Sequence, residues 1–308
     1  MSQNYEVDVL LATYNGEKYI EDFLSSLLKQ KNCKINLYVS DDGSTDSTIP
    51  LLLRYQDEFN EFRLMQGPEL GPMLNFFNLL RASKGKYIAL ADQDDIWMEN
   101  HLHASLQRIS KFESPALTFS SVAQFMCCPS HSEIWPNQKN QLEFPNIFFE
   151  NIGRGCTFVF NSSARDLVNG YEPKHAIMHD WWILLRLLIQ GRVIFSPFPE
   201  IFYRIHENNH IGLGNSGLAT TIRTLRLGKI NTIQQLKELA NIVFEENNPL
   251  QEFDIQNLLN RLNGRFVERL KLVISKDYRY RRKFIDDLKM RIIIVLLPIF
   301  DRNSRNAE

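Results

Sequence analysis

Apolar positions follow two alternating rhythms over the first hundred residues. Val7 to Ala12 (VDVLLA) is a short apolar run of strand length, and Ile20, Phe23, Leu24, Leu27 and Leu28 then recur at the spacing of a helix face. Ile35 to Ser40 alternates as a strand. Ile49 to Tyr55 follows as a helix that tolerates Pro50 in its first turn. Phe62 to Met65 makes a third strand, Met73, Phe76, Phe77 and Leu80 a further helical stripe, and Tyr87 to Ala91 (YIALA) an apolar strand. This β-α-β-α order predicts an α/β fold with a mostly parallel central sheet flanked by helices.

Beyond residue 115 the rhythm loosens. Ala116 to Ser121 and Cys156 to Asn161 read as strands, Pro129 to Pro145 as a polar loop, and Trp181 to Gln190 as a helix closed by Gly191. Ile201 to His206 is extended. From Leu218 the pattern is helical over Leu218 to Val243, Gln251 to Ser275 and Arg282 to Leu297. The division expected is an α/β domain over 1–217 and a helical C-terminal region over 218–308.

Composition adds limits rather than direction. Among 308 residues, 44% are hydrophobic and 23% charged, which suits an ordinary globular core. The formal net charge of −1 offers no whole-molecule attraction for nucleic acid. The N-terminus carries Glu6 and Asp8 and lacks a signal-peptide pattern. Ile292 to Leu297 falls far short of the ~20 apolar residues that span a bilayer. Cys33, Cys127, Cys128 and Cys156 form no CxxC pair, which fits a reduced cytoplasmic setting with all four acting as small buried hydrophobes.

Chemistry concentrates where strands end. In open parallel sheets ligands bind at the carboxyl ends of strands. Thr13-Tyr14-Asn15-Gly16 follows the first strand, Asp41-Asp42-Gly43-Ser44 the second, and Asp92-Gln93-Asp94-Asp95 the YIALA strand. One such cluster is ordinary turn chemistry; three at equivalent ends converge on one crevice. Asp92 and Asp94 are hard oxygen ligands suited to Mg²⁺ or Mn²⁺, ions that neutralise a diphosphate leaving group.

The segments ATYNGE, SDDGSTDST and ALADQDDIW resemble the family 2 glycosyltransferases of the GT-A fold, and within them the bacterial rhamnosyltransferase-like branch. Gly155-Cys156-Thr157, His179-Asp180-Trp181-Trp182 and Tyr203-Arg204-Ile205-His206-Glu207-Asn208-Asn209 agree, so the resemblance spans roughly residues 6 to 212. It implies an inverting enzyme with a nucleotide-sugar donor and a divalent metal, Mg²⁺ or Mn²⁺. By the same resemblance Thr13, Tyr14 and Glu17 lie at the nucleotide and Asp42 binds the base. Asp92 stands at the ribose or metal, Asp94 ligates the metal, and Asp95 faces sugar or acceptor. Asp180 is the general base, and Arg204 and His206 close over diphosphate and metal. Many members have an acidic residue before the base; here it is His179, which receives no catalytic role.

Read from the residues alone, Asp180 at a helix start is an N-cap sooner than a base. Trp181 and Trp182 are candidates for a sugar platform or for core. Arg204 and His206 alternate on an extended segment, so both are expected to face one crevice. No HExxH, Walker A, G-x-S-x-G or G-x-G-x-x-G string is present, which disfavours zinc hydrolase, P-loop, serine hydrolase and dehydrogenase chemistry. The alternatives are a sugar-phosphate nucleotidyltransferase, whose Gly-rich basic first loop TYNGE does not match, and an inactive nucleotide-sugar-binding module. Between Lys276 and Arg291, seven Lys/Arg against three Asp precede an apolar stretch to Phe300. That pattern fits either a packed terminal helix or peripheral contact with an anionic membrane. The expected acceptor is a glycan or lipid-linked hydroxyl in surface-polysaccharide synthesis.

Overall fold

The computed structural model describes residues 4–135, 146–206, 232 and 234–242, with a few single positions between 260 and 291. The chain divides into two units. The first comprises Met1–Lys139, Gly153–Glu172 and Met178–Gly217; the second comprises Asn140–Ile152, Pro173–Ile177 and Leu218–Glu308.

The first unit carries nine strands among its described residues, β1 (Tyr5–Thr13), β2 (Cys33–Asp41), β3 (Glu61–Gln66), β4 (Tyr87–Asp92), β5 (Ile96–Trp97), β6 (Ala116–Phe125), β7 (Glu133–Trp135), β8 (Val159–Asn161) and β9 (Arg192–Arg204). They form one sheet in the order β3-β2-β1-β4-β8-β6-β9-β5, with β7 paired to β6. The β3-β2-β1-β4 half is parallel. Past β4 the sheet is mixed: β8 and β7 run antiparallel to their neighbours, and β6 with β9 is parallel. Register places the site. Thr13 pairs with Asp41, and Ala12 with Asp92, so three strand ends lie side by side.

Helices α1 (Ile20–Leu27), α2 (Thr48–Arg54), α3 (Pro72–Ala82) and α4 (His101–Ile109) cover the sheet. Ile20, Phe23, Leu24 and Leu27 are fully buried, as their spacing predicts. A short helix α5 (Asn146–Phe149) belongs to the second unit, and α6 (Ser162–Asn169) and α7 (His179–Gln190) return to the first. In the second unit, Glu238 accepts the amides of Lys174 (2.7 Å) and His175 (2.8 Å), and Gln235 accepts that of Ile177 (2.9 Å). Most of the helices expected after Leu218 lie outside the described residues.

Several elements differ from the sequence pattern. The expected strand from Cys156 begins only at Val159. A 3-10 turn at Gly155–Thr157 precedes it, closed by the Thr157 amide and hydroxyl on the Arg154 carbonyl. The polar stretch after Pro129 opens with a 3-10 turn at Pro129–His131 and then β7; residues 136–145 lie outside the described residues. Trp181 and Trp182 are both core, 5% and 0% exposed. Only Cys156 is buried; Cys127 is exposed, and Cys33 and Cys128 are intermediate.

A half-buried ion pair ties β9 to α4. Glu200 takes Arg108 in a fork, Nη1 to Oε1 at 2.7 Å and Nη2 to Oε2 at 2.8 Å, and also meets Ser105 (3.1 Å) and His101 (3.2 Å). Burial alone would raise its pKa; hydrogen bonds from His101 and Arg108 outweigh that and hold it down at about 2. A depressed carboxylate contributes stability above its unfolded pKa near 4.5, lost as pH falls through 2. Glu200→Gln is therefore expected to cost on the order of 3 kcal/mol near neutral pH and to flatten the loss of stability between about pH 5 and 2. Urea melts of both proteins across that range check it.

Candidate active site

The carboxyl ends of β1, β2 and β4 open into a cavity of about 780 Å³, whose lining includes Thr13, Tyr14, Asp42, Asp92, Asp94, Asp180 and His206. Adjacent aspartates at the end of β2 serve different ends. Asp41 organises the loop: its carboxylate accepts the hydroxyls of Thr13 (2.7 Å) and Ser44 (2.6 Å) and the amides of Gly43 (3.2 Å) and Ser44 (2.7 Å). That tight turn needs φ of 91° at Gly43. Asp42 accepts the amides of Glu69 (2.7 Å) and Gly71 (2.8 Å) and still lines the cavity, with a second lone pair on each oxygen available. Beside it Asn75 donates to the Ser40 carbonyl (2.8 Å), while its Oδ1 is buried without a hydrogen-bond partner.

Gln93 fastens the first loop to the third. Its amide accepts from the Tyr14 N–H (3.1 Å) and donates to the Tyr14 carbonyl (2.9 Å). Tyr14 itself is 59% exposed at the cavity. Glu17 is not brought to the cavity. It accepts the Ser47 amide at 3.0 Å and is not among the residues that line the cavity.

The acidic cluster forms the catalytic end. Burial, reinforced by the charges of Asp94 and Asp180 and opposed by Arg154, pushes the Asp92 pKa up to about 7. Asp94 Oδ2 meets His206 Nε2 at 2.6 Å, and His206 stacks on Tyr19 with ring centroids 5.0 Å apart. Among the described residues the metal-ligating atoms that lie within 4.8 Å of one another are those of Asp92, Asp95 and Cys156; Asp92 and Asp94, whose charge Arg154 only partly offsets, offer the hard oxygens that suit Mg²⁺ or Mn²⁺.

Asp95 departs from expectation. It is fully buried, accepts the Arg204 amide at Oδ1 (3.1 Å), leaves Oδ2 buried without a partner and groups with Cys156, so it faces neither sugar nor acceptor. Burial, with the Asp94 and Asp92 charges, raises its pKa well above the ordinary value. Arg204 departs too. Its guanidinium donates to the Asp94 carbonyl (2.9 Å) and Asp22 (2.7 Å) and lies over the rings of Tyr19 and Phe125. It braces the acidic loop from behind instead of lining the cavity. The strand alternation that was to align it with His206 stops at Arg204, where β9 ends.

Asp180 sits in the first turn of α7, after the cap residue Met178. Its Oδ1 accepts the Trp181 amide (2.7 Å) and its Oδ2 the Gly155 amide (3.3 Å), so it satisfies an orphan helix amide and still borders the cavity. His179 stacks on Phe76 at 4.0 Å, 5% exposed, with neither ring nitrogen hydrogen-bonded. Burial lowers its pKa, against the opposing pull of Asp180.

Residues 8–159 match the family described as Glycosyl transferase family 2. That stretch is a family 2 glycosyltransferase domain. A dTDP-rhamnosyl transferase of Shigella flexneri, RfbG, is 26% identical over 307 residues, spanning 93% of this chain and 99% of its own. WfgD of Escherichia coli, a UDP-Glc:alpha-D-GlcNAc-diphosphoundecaprenol beta-1,3-glucosyltransferase, is 26% identical over 67% of this chain and 79% of its own. The mannosyltransferase PcManGT of Pyrobaculum calidifontis, solved with GDP-Man and Mn²⁺, aligns over 95% of this chain and 86% of its own, with a TM-score of 0.55 at 15% identity. The fold is GT-A and the protein is a glycosyltransferase, as the motifs implied.

This glycosyltransferase also has a site residue that the strand-end clusters did not reveal. Arg154 lines the cavity with its guanidinium 4.3 Å over the Tyr203 ring. The flanking glycines make that placement possible. A Cβ at Gly153 would strike the Phe158 ring at 2.7 Å, and one at Gly155 would press on His179 Nε2 and Asp180 Cβ at 3.0 and 3.1 Å. A lone cation between two glycines, just before the Gly155-Cys156-Thr157 string, was the available signal.

Proposed function

We propose that this glycosyltransferase transfers a sugar, of rhamnose type, from a nucleoside-diphosphate donor to a hydroxyl of a glycan or lipid-linked acceptor, with inversion, in bacterial surface-polysaccharide synthesis. The similarity to the rhamnosyl and diphosphoundecaprenol-dependent enzymes supports donor and acceptor. The observation that carries the reading is one cavity with nucleotide-type contacts at Thr13, Tyr14 and Asp42 and an acidic cluster with a base at the other end.

In this reading Asp42 accepts from the base, and Thr13 and Tyr14 border the nucleotide. Asp92, Asp94 and His206 would hold Mg²⁺ or Mn²⁺. Such an ion, when bound, neutralises charge on the diphosphate. Asp180 takes the proton of the acceptor hydroxyl as its oxygen bonds to the anomeric carbon. The bond from that carbon to the diphosphate oxygen breaks, its electrons leaving with the nucleoside diphosphate. A single displacement of this kind inverts the anomeric centre. Asp95 and Arg204 support the acidic loop and do not touch substrate.

A thermal-shift panel tests the nucleotide and metal together. Thymidine diphosphate with Mn²⁺ is expected to raise Tm by a few degrees, through binding to the folded state alone. Chelator should remove the shift. No shift with any nucleoside diphosphate contradicts the reading.

The basic Lys276 to Arg291 segment and the apolar stretch to Phe300 lie almost wholly outside the described residues. No described helix is long and apolar enough to cross a membrane. Peripheral contact with anionic lipid at the inner face of the cytoplasmic membrane, in a cytoplasmic protein, is proposed from charge pattern alone. Flotation with anionic vesicles should exceed that with neutral ones and fade with salt; equal recovery on both would refute it.

A further inference from the structure

The cavity has a cation, and it is not the one the motif suggested. Arg204 is committed to Asp22 and the Asp94 carbonyl, behind the acidic loop. Arg154 lines the cavity itself, half-buried, with its guanidinium resting on Tyr203. Its charge is felt by Asp92, whose pKa it lowers against burial. One residue on, the Gly155 amide meets the carboxylate of Asp180. Arg154 therefore stands at the end of the cavity where the glycosidic bond of a donor would break.

We propose that Arg154 binds the terminal phosphate of the nucleoside diphosphate and stabilises the negative charge that develops there as the sugar departs. This rests on the glycosyltransfer reading and adds a residue to it. The chemistry favours a guanidinium. It presents a planar fork of N–H donors that matches two phosphate oxygens, and it keeps its charge when half-buried. The Tyr203 ring beneath it restricts where that fork can go, so less order must be imposed when the donor arrives. A preorganised cation aimed at a leaving group is worth more in the transition state than in the ground state.

A structural role as mere counter-charge to the acidic cluster would weaken all nucleotides alike. Affinity for thymidine diphosphate is therefore compared with that for thymidine monophosphate, by calorimetry at saturating Mn²⁺. In Arg154→Met the preference for the diphosphate should shrink by about 10- to 100-fold, with monophosphate affinity held within about twofold. Arg154→Lys should recover part of it, having charge without the fork, and this variant decides the matter should the Met variant fail to fold. An unchanged preference in the variants, or equal loss of both nucleotides, overturns the assignment. A wild-type chain that binds neither nucleotide overturns the donor reading itself, and this residue's role with it.

Discussion

Asp180→Asn is expected to lower the transfer rate by on the order of 10²–10⁴-fold while donor affinity stays within a few-fold of wild type. Asn keeps an oxygen to accept the Trp181 amide, so one of the two contacts of Asp180 survives. It puts an amide nitrogen where Oδ2 now accepts from Gly155, and that loss should cost about 1 kcal/mol of stability. What it removes entirely is a group that can accept the acceptor's proton. Calorimetry with thymidine diphosphate and transfer rates on the same preparation separate the two effects. A variant with wild-type turnover would reduce Asp180 to a first-turn helix contact.

Asp94→Ala should remove the dependence of nucleotide binding on Mn²⁺ and cut turnover by on the order of 10²–10³-fold. The substitution takes away one carboxylate and leaves His206 without its 2.6 Å partner. Asp92 remains, with less negative charge beside it. Titrating thymidine diphosphate into the variant with and without Mn²⁺ gives the readout: the two curves should coincide, whereas in the wild type they should separate. A variant that still gains affinity from the ion would move the metal role elsewhere in the cluster.

The parallel half of the sheet was legible because its strands are short apolar or alternating runs, and β1, β2 and β3 are each followed by an i, i+3, i+4 stripe. Helices α4 and α6 escaped for a physical reason. The inward face of α4 includes His101 and Ser105 beside Leu102, Leu106 and Ile109, and α6 buries only Ala164 and Val168, so neither shows an unbroken apolar stripe. The length of β9 was hidden by Pro197 and Pro199, which break the pattern of a strand. The register with β6 shifts there, where Ser120 pairs with Ser196 and Ser121 with Pro199. Proline is tolerated in a strand at such irregularities.

The site divides in the same way. Residues at the ends of regular strands, Thr13, Asp42, Asp92 and Asp94, line the cavity because register carries them there. Of the residues placed by the resemblance, His206 lines the cavity while Asp95 and Arg204 do not. Asp95 follows Asp94 but turns into the core, and Arg204 is the last residue of β9, past which the two-residue period no longer holds. Arg154 lies in an irregular turn, where no periodicity predicts direction and only the packing of its flanking glycines sets it.

Sugar transfer itself tests the central claim most directly. The wild-type chain is incubated with dTDP-L-rhamnose and a diphosphoundecaprenol-linked glycan, with Mn²⁺ or with excess chelator. Released nucleoside diphosphate and the anomeric configuration of the product, by NMR, are followed together. The expected result is acceptor-dependent release with Mn²⁺, almost none with chelator, and an inverted anomeric centre. Transfer that continues undiminished in chelator, or that retains configuration, would contradict a metal-dependent single displacement at this cavity.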